Sequence, residues 1–299
     1  MNNMAPKVTI CVVTYNQETL IQQCLESLIS QVTNFKFEII VSDDASTDNT
    51  PNIIQQYADK YPDIIKPILH KKNLGALENF IFVHNQATGE YISHMDGDDY
   101  SLAGKLQAQA DFLDAHDDCN IVWHRVKILF SDSNTLYDDL IQYNVLPKEG
   151  FTRADILQFI TIGVNSSKMY RAYKEEMVMP NFEVVDYFKN VEEVQNKKAY
   201  FVNDNFYGVY RAGIGIASSG SATRILLCKS FLHFAKKYPE YKDRINAATL
   251  LYFIVDLKNK RSTAKDFFIV WLKTFHYKSI YLIYKNRNII KMFRLPKNH

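Results

Sequence analysis

Apolar and polar positions alternate in blocks over roughly the first hundred residues. Val8–Thr14 (VTICVVT) is an apolar, β-branched run and predicts a buried strand. Thr19–Ser30 then sets Leu20, Ile21, Cys24, Leu25, Leu28 and Ile29 at helical spacing. Phe37–Ser42 (FEIIVS) predicts a second strand. Thr50 reads as an N-cap and Pro51 as the first helical residue, with Ile53, Ile54, Tyr57 and Ala58 as the apolar face. Ile64–Leu69 predicts a third strand, Ala76–Thr88 a helix closed by Gly89, Tyr91–Met95 a fourth strand and Leu102–His116 a helix. Repeated β-α-β units require a Rossmann-like α/β fold, with a mostly parallel sheet and helices on both faces.

The pattern then loosens. Asn120–Phe130 predicts a strand, Ser131–Gly150 a loop-rich stretch and Val164–Tyr170 another strand. Val184–Lys197 reads as a helix, Tyr200–Arg211 as extended chain, and everything from Ser221 onward as helical. This predicts an α/β domain over 1–220, in a first half at about 1–116 and a second half at about 117–220. A helical C-terminal region covers 221–299.

Composition supports a folded body. Hydrophobic residues make up 47%, and 19 Phe with 19 Tyr bring large buried areas, which excludes a disordered chain. The net charge of +2 conceals a division. Residues 265–299 carry eight Lys or Arg against one acid, or +7, which leaves −5 for the rest. Cys11, Cys24, Cys119 and Cys228 have neither zinc nor redox spacing and read as buried hydrophobes in a reducing compartment. The N-terminus lacks the basic and apolar regions of a signal peptide, and no apolar run reaches the ~20 residues of a spanning helix. A cytoplasmic protein, soluble or peripheral on the inner face of the membrane, is expected.

The chemistry sits at strand ends. In open α/β sheets ligands bind beyond the carboxyl ends of the strands. Tyr15-Asn16, Asp43-Asp44 and Asp96–Asp99 each follow a strand and should therefore meet on one edge. Met95-Asp96-Gly97-Asp98-Asp99 crowds three carboxylates, which repel unless a cation or donors gather there. Oxygen ligands suit magnesium or manganese completed by diphosphate oxygens, while a solvated turn before a helix is the other reading. For Asp43–Asp48, capping accounts for Ser46 and Asp48; the doubled Asp could also accept from a pyrimidine N3–H or from ribose hydroxyls.

Taken in order, TICVVTYNQ, EIIVSDDASTDNT, the Asn73-Leu74-Gly75 turn and GEYISHMDGDDY resemble glycosyltransferase family 2, whose fold is called GT-A. Lys105–His116 (KLQAQADFLDAH) resembles a subgroup from bacterial surface-polysaccharide synthesis. The likeness is strong over Lys7–His116 and weak over Val164–Ser219. It implies that Thr14 and Tyr15 line the nucleotide pocket, Asp44 binds the base, Asp96 lies on the ribose side and Asp98 holds the metal, Mn2+ or Mg2+. It implies a later Asp as catalytic base. Asp186 in FEVVDYF matches best, although Val185 replaces the usual Glu or Gly; Glu193 and Asp204 are rivals. Arg211, in a Tyr-Arg turn, could face the diphosphate.

The resemblance thus implies an inverting, metal-dependent transfer from a UDP- or dTDP-sugar to an acceptor hydroxyl. The acceptor expected is a lipid-linked glycan of O-antigen or capsule synthesis. The alternative is an inactive, glycosyltransferase-like binding module without a usable base. There is no Gln-x-x-Arg-Trp sequence, so the chain does not resemble the processive synthases, and one sugar per visit is expected. Gly213–Gly220 mimics a dinucleotide fingerprint but has its third glycine misplaced. The eight His form no helical i, i+4 zinc pair, and His94 reads as an alternate-face strand residue. The tail interleaves Phe267, Phe268, Trp271, Phe275, Tyr277, Tyr281, Tyr284 and Phe293 with basic residues, which suits an anionic membrane surface. Nucleic acid is not expected as a partner, since the body is acidic.

Overall fold

The computed structural model describes residues 5–142, 144–172, 178–213 and 221–296. β1 (Val8–Thr14), α1 (Ile21–Ile29), β2 (Phe37–Asp43), α2 (Thr50–Lys60), β3 (Ile65–Leu69), α3 (Ala76–Asn85) and β4 (Tyr91–Asp96) alternate as expected. The four strands pair in parallel. β5 (Tyr100–Ser101), α4 (Lys105–Ala115), β6 (Cys119–Phe130), β7 (Thr135–Asp138), α5 (Arg153–Phe159), β8 (Met169–Arg171), α6 (Asp186–Glu193) and β9 (Lys198–Ala212) follow. The sheet order is β3-β2-β1-β4-β8-β6-β9-β5, with β7 beside β6. β8 runs antiparallel between β4 and β6, whereas β6 and β9 are parallel.

Strand alternation explains the two-sided core. Ile10, Val12, Ile39 and Val41 face one layer, formed by α1, α2 and α4. Cys11 and Ile40 face the other, where Val83 of α3 meets residues of α5 and α6.

Several local expectations shift. Thr50 is the first residue of α2, and its N–H donates to Asp48 Oδ1 at 2.9 Å; its hydroxyl instead accepts from Gln17 N–H. The strand expected at Val164–Tyr170 is a single 3-10 turn, Asn165–Ser167, before the short β8. The turn closes locally, because Ser167 donates both its N–H and its hydroxyl to the Val164 carbonyl. The helix expected from Leu102 begins at Lys105, since Tyr100–Ser101 is taken up as β5 against β9. α5 was not expected, yet Thr152 and Asp155 form a reciprocal capping box at its start.

The C-terminal region is helical: α7 (Ser221–Lys237), α8 (Lys242–Lys258), α9 (Ala264–Lys273), α10 (Ser279–Lys285) and α11 (Arg287–Met292). Buried Asp256 accepts from Arg224, Arg261 and Thr263, which joins α7, α8 and the start of α9. Phe293 packs on Phe151, Phe159 and Phe201, tying the tail to the sheet domain. Phe267 is fully buried, so it is a core residue of the basic tail, and Phe293 packs half-buried against that core. The expected boundary at 220/221 abuts residues 214–220, which lie outside the described residues, as does most of the glycine run Gly213–Gly220.

Candidate active site

The three polar clusters meet. Register places Thr14 opposite Asp43 and Val13 opposite Asp96, so β1, β2 and β4 end together. The Asp44 N–H donates to the Thr14 carbonyl at 3.0 Å, and the Gly97 N–H to that of Val13 at 2.9 Å. A Cβ at Gly97 would lie 2.9 Å from Thr14 Cβ and 2.4 Å from Gln17 Oε1, so glycine is required there by close approach.

The first two loops are laced together. Asn16 N–H donates to Ser46 Oγ, Thr47 N–H to Asn16 Oδ1, Glu18 N–H to Asp48 and Asn49 N–H to Glu18. Asn16 and Ala45 both hold left-handed backbone, with φ of 52° and 59°. For alanine that conformation is costly, and such strain concentrates at functional loops. Asp43 is consumed within the loop by Ser46. Asp44 is buried, and its carboxylate accepts from Leu74 N–H at 2.6 Å and Gly75 N–H at 3.0 Å. It therefore pins the Asn73–Gly75 turn against the pocket. Tyr15 is exposed beside these loops.

The acidic turn divides its labour. Asp96 Oδ1 accepts from His94 Nε2 at 3.2 Å and Oδ2 from Ser166 Oγ at 3.1 Å, yet 37% of the side chain remains exposed. Burial opposes its charge, but His94, Ser166 and Lys168 outweigh burial and hold the carboxyl below its ordinary range. Asp98 is buried and meets no side-chain donor among the described residues. Desolvation, then the Asp96 charge, pushes it up to about 6. Asp99 is fully buried; Oδ1 accepts the Arg211 N–H, Oδ2 has no partner, and desolvation with Asp96 and Asp98 raises it well above the carboxylate range. Arg211 lies over the Tyr100 ring and gives its guanidinium N–H groups to the Asp98 carbonyl and Gln23 Oε1. Lys105 is buried behind the turn, donates to the Ser166 carbonyl at 2.8 Å and is lowered to about 8 by desolvation.

A divalent cation fits this turn, since the Asp98 carboxylate is crowded, desolvated and without a side-chain donor among the described residues. No three His, Cys, Asp or Glu among the described residues form a ready cage, so diphosphate oxygens would complete the shell.

The three base candidates separate. Asp186 opens α6, and its Oδ1 lies 3.5 Å from Asn165 Nδ2. The residue is solvent-exposed, and desolvation by the surrounding protein, then the Asp96 charge, raises its pKa against the pull of Lys168. Because Asn165 touches Asp186 and Ser166 touches Asp96, one turn of chain holds both carboxylates. Glu193 is buried in an ion pair with Lys168 at 2.9 Å. Asp204 sits in the irregular part of β9 and accepts from Tyr207 at 3.1 Å.

The model of glycosyl transferase family 2 matches residues 9–177. The chain belongs to glycosyl transferase family 2. An uncharacterized protein of Mycobacterium tuberculosis is 40% identical over 126 residues, covering 42% of this chain and 36% of that protein. EpsE of Bacillus subtilis, named a glycosyltransferase, is 44% identical over 117 residues, covering 38% of this chain and 41% of EpsE. TuaG of Bacillus subtilis, named for teichuronic acid biosynthesis, is 28% identical over 181 residues, covering 60% of this chain and 69% of TuaG. This chain thus spans less than half the length of the first two relatives. Residues 1–349 of Staphylococcus aureus TarS, solved with UDP-GlcNAc, share the fold: TM-score 0.64 at 18% identity, covering 96% of this chain and 89% of that one. The fold is GT-A, as the family resemblance implied.

Reading the sequence for family 2 motifs missed five contributors: Gln17, His94, Asn165, Ser166 and Lys168. Gln17 accepts from the Thr14 hydroxyl at 2.7 Å and is the last residue of the TICVVTYNQ run, where no role was assigned to it. His94 lies inside GEYISHMDGDDY, where its alternation marks only a strand; Asn165, Ser166 and Lys168 carry no motif, because their partners lie elsewhere in the fold.

Proposed function

We propose that this family 2 member moves one sugar from a nucleotide-diphosphate sugar to an acceptor hydroxyl, with inversion. The observation that carries the reading is the convergence of Asp96, Asp98 and Asp186 at the carboxyl edge of the parallel sheet. Thr14, Tyr15 and Asp44 form the nucleoside side, and Asp96 takes the ribose. Arg211 acts on the diphosphate side by holding the acidic turn and by its charge. Asp98 would hold Mn2+ or Mg2+, which when bound would neutralise charge on the departing diphosphate. The acceptor oxygen bonds to the anomeric carbon as the bond to diphosphate breaks, and Asp186 takes the hydroxyl proton. Its raised pKa makes it a stronger base than an ordinary aspartate, and its exposure leaves room for an acceptor. The uridine nucleotide sugar bound by TarS favours UDP over dTDP.

The name of TuaG, with its teichuronic acid biosynthesis, supports a place in bacterial surface-polysaccharide synthesis, and a lipid-linked glycan is the acceptor of this reading. No described helix is long and apolar enough to cross a membrane. The exposed aromatic and basic residues of the last helices support peripheral attachment to the inner leaflet.

Thermal shifts with UDP, dTDP and GDP, each with and without manganese, test the reading. A ligand at a hundred times its Kd stabilises by about 2.7 kcal/mol. A manganese-dependent shift with UDP supports it, and no shift with any nucleoside diphosphate overturns it.

A further inference from the structure

Behind Asp96 runs a buried polar chain that the transfer chemistry does not use. Tyr170 of β8 stands 2.6 Å from His84 Nδ1, His84 Nε2 lies 3.0 Å from His94 Nδ1, and His94 Nε2 lies 3.2 Å from Asp96 Oδ1. All three links are buried: Tyr170 is 4% exposed, His84 8% and His94 0%. Phe80 clamps the rings, stacking on His84 at 3.9 Å and tilting against His94 at 4.7 Å.

Donor and acceptor logic fixes the direction of the chain. An ionised carboxylate only accepts, so His94 must carry its proton on Nε2. In a neutral ring Nδ1 then accepts, which requires His84 to carry its own proton on Nε2. His84 Nδ1 is left as an acceptor and takes the Tyr170 hydroxyl proton. Every group is satisfied with both imidazoles neutral. Burial, with the charges of Lys189 and Lys168, keeps His84, the middle member of the chain, well below the ordinary histidine range and so neutral. Burial, with Glu193 and Cys11, holds the proton on Tyr170. If Tyr170 ceased to donate, His84 could move its proton to Nδ1. His94 would then have to donate from Nδ1 and would present a bare Nε2 to the Asp96 carboxylate, acceptor against acceptor.

We propose that Tyr170, His84 and His94 are positioning residues that fix the rotamer of Asp96 from behind and so set the affinity of the nucleotide site. This rests on the reading of Asp96 as a nucleotide contact. It makes donor affinity depend on a phenol three links inside the core.

The test measures manganese-dependent binding of uridine diphosphate, the donor KM and kcat, and imidazole 15N shifts in full-length protein. Both histidines should show the Nε2–H tautomer in the free protein. Tyr170→Phe should weaken binding about 2–10-fold, the effect of one lost hydrogen bond, with the donor KM rising more than kcat falls. His94→Leu should weaken it further. His94→Gln, whose side-chain amide can still donate to Asp96, should restore most of the loss at an unchanged melting temperature. An Nδ1–H tautomer at His94 overturns the proposal. So does a folded Tyr170→Phe variant that binds like wild type while Asp96→Asn does not. If Asp96→Asn itself leaves binding unchanged, the nucleotide reading of Asp96 fails, and the tautomers still judge the direction of the chain.

Discussion

The backbone N–H of Arg211 donates to Oδ1 of Asp99 at 2.7 Å and joins the end of β9 to the acidic turn after β4. This contact makes Asp99 a strut. Its other oxygen is buried, and desolvation with the Asp96 and Asp98 charges raises its pKa well above the carboxylate range. Asp98, one residue away, has no such tie. Asp99→Asn is therefore expected to keep the fold and most of the transfer rate. Asp98→Ala should lower transfer by about 10²-fold or more, as for loss of a charge-stabilising group. A radiolabelled transfer assay with and without chelator reads both, and full activity of Asp98→Ala would remove the metal from that residue.

Asp44 has two duties that one substitution can separate. Its carboxylate holds Leu74 and Gly75, and in the proposed reading it also serves the nucleoside. Asp44→Ala should weaken nucleoside diphosphate binding by about 1–3 kcal/mol, the range for losing a charged hydrogen-bond partner. Asp44→Asn keeps one acceptor for the turn and should fall between. Calorimetric titration checks the order, and unchanged affinity in both variants would confine Asp44 to the turn.

A raised pKa at Asp186 has a definite sign. Folding disfavours the charged form, so the folded state holds the proton more tightly than the unfolded chain. Stability is then lost as pH rises from the ordinary carboxyl value through the raised one. Asp186→Asn should be no less stable than wild type at neutral pH. As the base, Asp186 must be ionised, so kcat should fall on the acid side at a pH above that of a free aspartate. Asp186→Asn should lower kcat by about 10²–10⁴ and abolish that limb, with donor affinity little changed. A flat profile, or the same loss from Asp204→Asn instead, would move the base.

The parts legible in the sequence are those that periodicity and strand ends encode. Val8–Thr14, Phe37–Ser42 and Tyr91–Met95 are apolar runs closed by polar residues, and parallel pairing obliges Thr14, Asp43 and Asp96 to share an edge. Contacts set by tertiary packing leave no such mark. Ser166 meets Asp96 across 70 positions, and its stretch of chain reads as a strand because Val164 and Met169–Tyr170 flank it. His94 alternates correctly for a strand, and only the proximity of His84 on α3 shows that its ring is part of a chain. Lys105 and Lys168 look like surface positions, yet both are fully buried opposite the acidic residues.

Stability of the C-terminal helices should hinge on Asp256. It is fully buried, binds Arg224 Nε at 2.9 Å and accepts from Thr263 at 2.6 Å. Removing one partner of a buried pair strands the other, at about 3–5 kcal/mol, and here the lower figure applies because Arg224 is 20% exposed. Asp256→Ala should lower the urea midpoint accordingly. A midpoint equal to wild type would show that the hub contributes nothing net.

The last helices carry an excess of apolar surface that their packing does not explain. Among the described residues, eleven of the twenty-one large exposed hydrophobic side chains lie after residue 250. Tyr277, Ile280, Tyr281 and Tyr284 are each more than 60% exposed, whereas Ser279 and Leu282 of the same segment are buried against the body. Lys273, Lys278, Lys285, Arg287 and Lys291 stand exposed among them. A solvated basic face would not need aromatic side chains pointing into water; the boundary of an anionic leaflet accepts both kinds. Each basic residue near such a surface contributes about 1 kcal/mol, so a few of them hold the protein reversibly. Replacing Tyr277, Ile280, Tyr281 and Tyr284 together by serine removes apolar surface without touching the core. The variant should keep its melting temperature and its activity on a soluble acceptor, and lose most of its binding to phosphatidylglycerol vesicles. Raising salt to 0.5 M should weaken the wild-type protein as well, since a Debye length shorter than about 5 Å screens the headgroups. Wild-type protein that ignores these vesicles at low salt, or a serine variant that binds them equally well, would leave the face to another partner.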